Sequence, residues 1–303
     1  AEMIKADISY EADLRYWNTV ARGEIVDIAC RFARSVEKLV KVVRERVEVQ
    51  LVDRNDLLMA EVKLNDTRYQ LMQAENGYEV ARMSLNSFVG EDFESVLPVD
   101  TLVVPIYSVG TLPGYMEQVT GNRPELRMAQ DKISIQESVR KLNQAQFLPQ
   151  FYVGLDGSYS SPGYNFKADL DPNYAVYAKV SIPLFEWGKR RNEKRAGDYK
   201  VAIARDNYNK VKDAVSLEVQ SAYYNYVQAV ERVTLTENSL AKACENEEMA
   251  LERYREGKIS IDGVLDAQMF HQTAQMNFVQ SRLTAQISYS NFVRVLGVDS
   301  VKE

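Results

Sequence analysis

The two ends of this chain carry the same heptad seam, and that repetition limits what the chain can fold into more than any other feature. From Leu57, apolar or small side chains recur in strict 3-4 alternation: Leu57, Ala60, Leu64, Thr67, Leu71, Ala74, Tyr78, Ala81, Leu85 and Phe88. Val264, Ala267, His271, Ala274, Phe278, Ser281, Ala285, Ser288, Phe292 and Val295 repeat the spacing. Such a seam winds helices around one another, and small residues at alternate positions let their backbones approach closely.

Residues Arg46 to Gly90 align with Arg253 to Gly297 without a gap, at an offset of 207. Identities are sparse (Arg46/Arg253, Leu58/Leu265, Ala60/Ala267, Gln73/Gln280, Gly90/Gly297), but the order of large and small residues coincides throughout. This is an internal structural repeat. Each copy reads as a long helix, a short turn and a second helix closed by a glycine cap at Phe-Val-Gly or Val-Leu-Gly. The turns are expected near Gln50 to Asn55 and Gly257 to Asp262. Residues 2 to 50 and 190 to 256 are rich in Ala, Glu, Lys, Arg and Val and lack proline, so both read as long helices. The second would span on the order of 100 Å, more than a compact globule needs.

Composition narrows the function classes. A net charge of −6 argues against a nucleic-acid surface, since the only sustained basic run is Lys189 to Arg195. Cys30 and Cys244 form neither a metal spacing nor a CxxC pair. No apolar run is long enough for a transmembrane helix, and the first residues lack the pattern of a signal peptide. There is no phosphate loop, no GxSxG and no Cys/His cluster, so neither catalysis, a metal nor a cofactor is expected. The single histidine, His271, lies on the seam opposite Leu64 and reads as a packed interior residue.

Between the copies the character changes. Residues 91 to 122, with the β-prone run "DTLVVPIY", read as a mixed connector. A helix follows, opened by Asn122 as cap with Pro124 in its first turn. Two strands are then expected, Gln150 to Ser160 and Tyr174 to Leu184, joined by "SPGYNFKADLDPN". In the first, Phe151, Val153, Leu155, Gly157 and Tyr159 share one face, and Tyr152, Gly154, Asp156, Ser158 and Ser160 the other. In the second, Val176, Ala178, Val180, Ile182 and Leu184 oppose Tyr177, Lys179 and Ser181. Strands of about 9 to 11 residues with one apolar face and aromatic ends fit a transmembrane β-barrel. The alternation also fits a half-buried hairpin of a soluble protein. A two-stranded hairpin is marginal alone, however, and long helices flank this one, so other chains are needed to complete a sheet.

The order of helix, "LPQ", strand, loop, strand, "IPLFEWGKRR", very long helix, "RYREGKISIDGVLDAQ", helix and "VLG" resembles the TolC family of outer-membrane efflux channels over essentially the whole chain. Its most specific parts are Ile182 to Gly188, "RPEL" at Arg123 to Leu126, and Tyr254 to Ala267. The resemblance implies a mainly α fold with a β-hairpin: long coiled-coil hairpins of a trimeric α-barrel plus a transmembrane β-barrel hairpin. It implies a first-repeat coiled-coil hairpin at 1–90, an equatorial connector at 91–122 and a second-repeat helix at 123–149. A transmembrane hairpin at 150–188, a second coiled-coil hairpin at 189–297 and a tail at 298–303 complete it. The family has a β-hairpin in each repeat and this chain holds only the second, so an N-terminally truncated chain is expected.

The same resemblance implies a homotrimeric channel-tunnel in the outer membrane and periplasm of a Gram-negative cell, serving efflux or type I secretion. Its partners would be outer-membrane lipid, a periplasmic adaptor (membrane fusion) protein and an inner-membrane RND or ABC transporter. The rival reading is a soluble periplasmic coiled-coil adaptor or scaffold. Tyr254 and Asp56 match the family's tip latch, a Tyr–Asp hydrogen bond. Asp266 matches one pore aspartate, while Gly263 holds the other's place with Asp262 beside it. The adaptor-contact tips would be Val49, Gln50 and Leu51, where family members often show Val-Gly-Leu, together with Gly257 and Ser260. Tyr174, Phe185 and Trp187 would sit in the membrane girdles.

Overall fold

A computed structural model describes residues 2–101, 103, 110–162, 166 and 168–297. Its elements run α1 (Glu2–Glu48), α2 (Arg54–Val89), α3 (Leu112–Asn122), α4 (Pro124–Ala145), β1 (Gln150–Ser160), β2 (Asp171–Ser181), α5 (Lys189–Arg255) and α6 (Ile261–Leu296). The chain divides into two compact units, one of Ala1–Arg123 with Ser216–Glu303, the other Pro124–Val215. The expected tail at 298–303 lies outside the described residues, as does most of the β-prone run after Leu102.

The first unit is built on the heptad seams. Every seam position of α2 and α6 is buried or half-buried, with Ala60, Thr67, Val264, Ser281, Ala285, Phe292 and Val295 fully enclosed. Helix α1 packs against both of them and buries a broad apolar stripe that includes Val20, Ile28, Val36, Leu39 and Val43. Two clusters result. One joins Leu39, Val40, Val43, Ala60, Tyr254, Ile261 and Val264 near the helix turns. The other joins Val20, Ala21, Ile28, Val103, Val279 and Leu283. Both glycine caps are present, Gly90 and Gly297 having φ of 81° and 68° in the left-handed region.

The connector after α2 is held by side chains satisfying its backbone, as a segment without its own ladder requires. Buried Asn86 donates Nδ2 to the carbonyls of Asp92, Phe93 and Ser95 at 3.0, 3.1 and 2.8 Å. Tyr16 donates its hydroxyl to Asp100 at 2.6 Å, and buried Glu24 accepts the Val103 N–H. The last stretch of this connector is helical, as α3, which the sequence reading did not separate out. Asn122 ends α3, its side chain lying outside the described residues, and Arg123 rather than Asn122 separates it from α4.

Arg123, of the "RPEL" motif, is almost fully buried. It donates to the Val295 carbonyl at 2.8 Å, satisfying an orphan acceptor at the end of α6, and pairs with Glu218. Glu218 in turn accepts from Arg294 at 3.3 Å. Nearby, Tyr226 stacks on Phe292 with ring centroids 6.2 Å apart, and burial pushes its hydroxyl up to about 12. His271 is more polar in its contacts than an interior seam residue need be. Its Nδ1 meets the Glu247 carboxylate and its Nε2 lies 2.9 Å from Gln275 Nε2.

In the second unit, Arg140–Asp198 at 3.0 Å and Arg205–Glu137 at 3.2 Å tie α4 to the first part of α5. The hairpin is antiparallel, with Phe151 opposite Val180, Val153 opposite Ala178 and Leu155 opposite Val176, so the apolar sets of both strands share one face. Strand β1 has the expected bounds, but β2 covers Asp171–Ser181 rather than Tyr174 to Leu184. The cause is the partner. Gln150 pairs Ser181 and is preceded by Pro149, which has no N–H to give, so Ile182 and Leu184 keep the alternation without a ladder. At Trp187 and Gly188, φ of 45° and 80° turns the chain directly from this extended segment into α5.

Candidate functional site

The two interhelical turns are alike bond by bond. At the end of α1, Val49, Gln50 and Leu51 donate their N–H groups to the carbonyls of Glu45, Val47 and Arg46. At the end of α5, the residues 207 positions on, Glu256, Gly257 and Lys258, donate to Glu252, Tyr254 and Arg253. Gln50 and Gly257 occupy the same left-handed position, with φ of 58° and 73°. Asp53 caps α2 through the Asn55 N–H at 3.0 Å, whereas its counterpart Ser260 makes no side-chain cap bond. Val49, Gln50, Leu51, Gly257 and Ser260 are all exposed.

Beside these turns an unanticipated residue joins the two repeats. Arg46 donates Nη1 to the Tyr254 carbonyl at 2.9 Å and Nη2 to the Arg255 carbonyl at 2.6 Å. Its guanidinium also lies 4.8 Å from the centre of the Tyr254 ring. Cations favour the C-terminal end of a helix, and at the end of α5 Arg46 adds a second donor to the Tyr254 carbonyl, which already accepts the Gly257 N–H, and one to the Arg255 carbonyl. The one sequence signal was the Arg46/Arg253 identity in the repeat alignment.

The expected hydrogen bond between Asp56 and Tyr254 is not made. The Tyr254 hydroxyl is buried without a hydrogen-bond partner, its ring being held in the apolar cluster beneath Arg46. Burial raises its pKa, an effect opposed by Arg46 and reinforced by the charge of Asp56. Asp56 stands in the first turn of α2, half-buried. Burial raises its carboxyl, and the charges of Asp262 and Asp53 raise it further. The charges of Asp56 and Asp262 thus act on one another near Tyr254, which Arg46 holds, while Asp266 lies one turn further along the exposed side of α6.

In the second unit Tyr174, Phe185 and Trp187 are all strongly exposed, the last two in edge-to-face contact at 4.9 Å. Exposed too are Phe151, Val153, Leu155, Val176 and Val180 on the apolar face of the hairpin. Gly154 leaves the space that the ring of Tyr177 fills across the ladder, since a Cβ there would lie 2.4 Å from that ring.

Residues 115–298 match the family model described as outer membrane efflux protein. A curated relative, toxin and drug export protein A of Aggregatibacter actinomycetemcomitans, is 20% identical over 265 residues, covering 86% of this chain. The chain spans 58% of that relative's length. Among solved structures, the outer membrane protein VceC of Vibrio cholerae matches with a TM-score of 0.77 and 17% identity, over 97% of this chain and 70% of its own. The MtrE outer membrane channel of Neisseria gonorrhoeae, in its open state, matches with a TM-score of 0.78 and 16% identity, over 98% of this chain and 67% of its own. At these identities the structural likeness shows the fold.

Proposed function

Because the chain belongs to the outer membrane efflux protein family, a family of transport channels, we propose that it forms part of a channel-tunnel carrying solutes across the periplasm and outer membrane. It is a protein of the outer membrane and periplasm of a Gram-negative cell. Family members assemble as trimers in tripartite systems, and the complete protein is taken to do the same, with a periplasmic adaptor and an inner-membrane RND or ABC transporter. It moves its cargo without transforming it. Its curated relative is named for toxin and drug export, and cargo of either kind fits this reading.

One observation carries this reading. The hairpin places Phe151, Val153, Leu155, Val176 and Val180 on a single exposed face, opposite Asp156, Ser158, Lys179 and Ser181. Two strands cannot close a barrel, and no further strand exists among the described residues, so strands from other segments or copies must complete it. Tyr174, Phe185 and Trp187 then serve as interfacial girdle residues. Val49, Gln50, Leu51, Gly257 and Ser260 present the tips to the adaptor, and Asp266 with Asp262 faces the pore.

The test is polar-reagent labelling of single cysteines in the complete protein in outer-membrane vesicles. Cysteines at Asp156, Ser158, Lys179 and Ser181 are expected to label, and those at Val153, Leu155 and Val180 to resist. Equal labelling of both sets would reject the barrel and favour a soluble coiled-coil scaffold.

A further inference from the structure

The one sustained basic run of the chain begins where the aromatic step out of the hairpin ends. Leu184 is 91% and Trp187 89% exposed, and the rings of Phe185 and Trp187 meet edge to face. Two residues on, α5 opens with Lys189, Arg190 and Arg191, followed by Lys194 and Arg195, all of them exposed. Arg190, Arg191, Lys194 and Arg195 recur at i, i+1, i+4 and i+5, which places them on one side of the helix. None of these four has an ion pair among the described residues.

The acids nearby do not neutralise the run. From Glu186 to Asp198 the chain holds five bases and three acids, against a net charge of −6 for the whole. Glu186 lies 3.9 Å from Lys189, Asp198 is held at 3.0 Å by Arg140 of α4, and the third acid, Glu193, is half-buried. Beside Arg140, Lys141 adds a further exposed base. The first turn of α5 carries no acid, although a helix N-terminus favours negative charge, so the run costs stability unless an anion from outside the chain offsets it. At the other end of the hairpin stand Lys167, Asp169 and Asp171, a net acidic set. The excess of bases therefore marks one end of the hairpin only.

An apolar strand face, then aromatic rings, then bases is the order that a bilayer presents from hydrocarbon to interface to phosphate. Lys189 to Arg195 covers about 9 Å of helix axis, comparable to the depth of one headgroup layer, about 5 to 8 Å. We propose that Arg190, Arg191, Lys194 and Arg195 hold the phosphates of anionic phospholipids in the leaflet of the outer membrane that faces the periplasm. Three of the four are arginines, whose forked donors match two phosphate oxygens at once. Leu184, Phe185 and Trp187 meet the glycerol and upper acyl chains of the same lipids. The proposal rests on the barrel reading of the hairpin, which puts lipid beside Trp187.

The experiment places the complete protein in phosphatidylcholine vesicles holding a minor share of phosphatidylglycerol, with bromine on the acyl chains of one lipid or the other. The emission of Trp187 is the difference between the wild type and Trp187→Phe. Mole for mole, brominated phosphatidylglycerol is expected to quench it about fivefold more than brominated phosphatidylcholine. The two should become equal in the variant that combines Arg190→Gln, Arg191→Gln, Lys194→Gln and Arg195→Gln. Arg190→Lys, Arg191→Lys and Arg195→Lys together keep the charge and should keep part of the preference, and its complete loss there would overturn a contact based on charge. A preference unchanged in the four-Gln variant, or equal quenching in the wild type, overturns the headgroup site and leaves the barrel standing. Quenching by neither lipid overturns both. Inorganic phosphate added at constant ionic strength should leave the preference in place, and phosphate that abolishes it would assign these residues to free anions instead of lipid.

Discussion

The guanidinium of Arg46 stacks 4.8 Å from the centre of the Tyr254 ring while donating to that residue's own carbonyl at 2.9 Å. One side chain thus binds the face and the backbone of the same residue 208 positions away, and a second hydrogen bond to the Arg255 carbonyl completes the fork. Tyr254 is fixed by what Arg46 does to its backbone and ring.

Arg46→Ala removes these contacts together. Charge-assisted hydrogen bonds and a cation–π contact of this kind together are worth about 2 kcal/mol when partly exposed, so denaturation should show a loss of that order. Arg46→Lys keeps the charge but lacks the fork, and should recover only part of it. In single-channel recordings of the complete protein, Arg46→Ala should raise the resting conductance and Tyr254→Phe should not. A reversed result would restore the hydroxyl to the latch.

Gln50 and Gly257 offer a reciprocal test of the repeat. Both sit in the left-handed region, which costs a residue with a Cβ about 1 kcal/mol more than glycine. Gln50→Gly should therefore stabilise the chain by about 1 kcal/mol and Gly257→Gln destabilise it by a similar amount. No atom lies within 4 Å of a Cβ at Gly257, so strain alone would be measured. Thermal melts of both variants decide it.

Asp56 should make stability depend on pH in an unusual direction for a carboxylate. Burial raises its pKa, and the charges of Asp262 and Asp53 raise it further, so the folded chain holds the proton more tightly than the unfolded one. The contribution is fully present below the unfolded value and is lost as pH rises through the folded value. Asp56→Asn should be the more stable protein at neutral pH, by less than about 1 kcal/mol given its partial exposure, and the two should converge in acid. Parallel stability curves would show that Asp56 is not strained by its neighbours.

Arg123 carries the largest expected loss. Its side chain is 7% exposed and paired with Glu218, and it caps the Val295 carbonyl at 2.8 Å. Removing it leaves the buried Val295 carbonyl without its donor and takes one of two arginines from half-exposed Glu218, so Arg123→Ala should cost about 3 kcal/mol in chemical denaturation. A loss below about 1 kcal/mol would mean that Glu218 is held well enough by Arg294 alone.

Periodic features were legible in the sequence because burial writes them there directly. The seams from Leu57 and Val264 mark the buried faces of α2 and α6, and the alternation from Phe151 marks the apolar face of β1. Features fixed by a distant partner were not. The alternation through Ile182 and Leu184 continues past the last pair of the ladder, because β1 and not β2 sets its end. Helix α3 was hidden by Pro113 and Gly114, which read as breakers although proline is well placed in a first turn. The role of Arg46 depends on carbonyls at the end of α5, and carbonyls have no signature in sequence.

The last prediction concerns the pore. Asp262 and Asp266 lie one helical turn apart on the exposed side of α6, and Gly263 stands where the family resemblance expects the second aspartate of the proposed pore. In a trimer, Asp266 would be present in three copies around one axis, a ring of negative charge in a space with little water to screen it. A trivalent cation applied from the periplasmic side should block the complete channel, and Asp266→Asn should relieve the block. Gly263→Asp should deepen it. The new Cβ would lie 3.3 Å from Ile259 Cδ1, the end of a flexible side chain that can shift, so the substitution is compatible with the fold. Block that is unchanged in Asp266→Asn would remove Asp266 from the pore. Block relieved by Asp262→Asn instead would move the ring back by one turn, towards Asp56 and the Arg46 clamp.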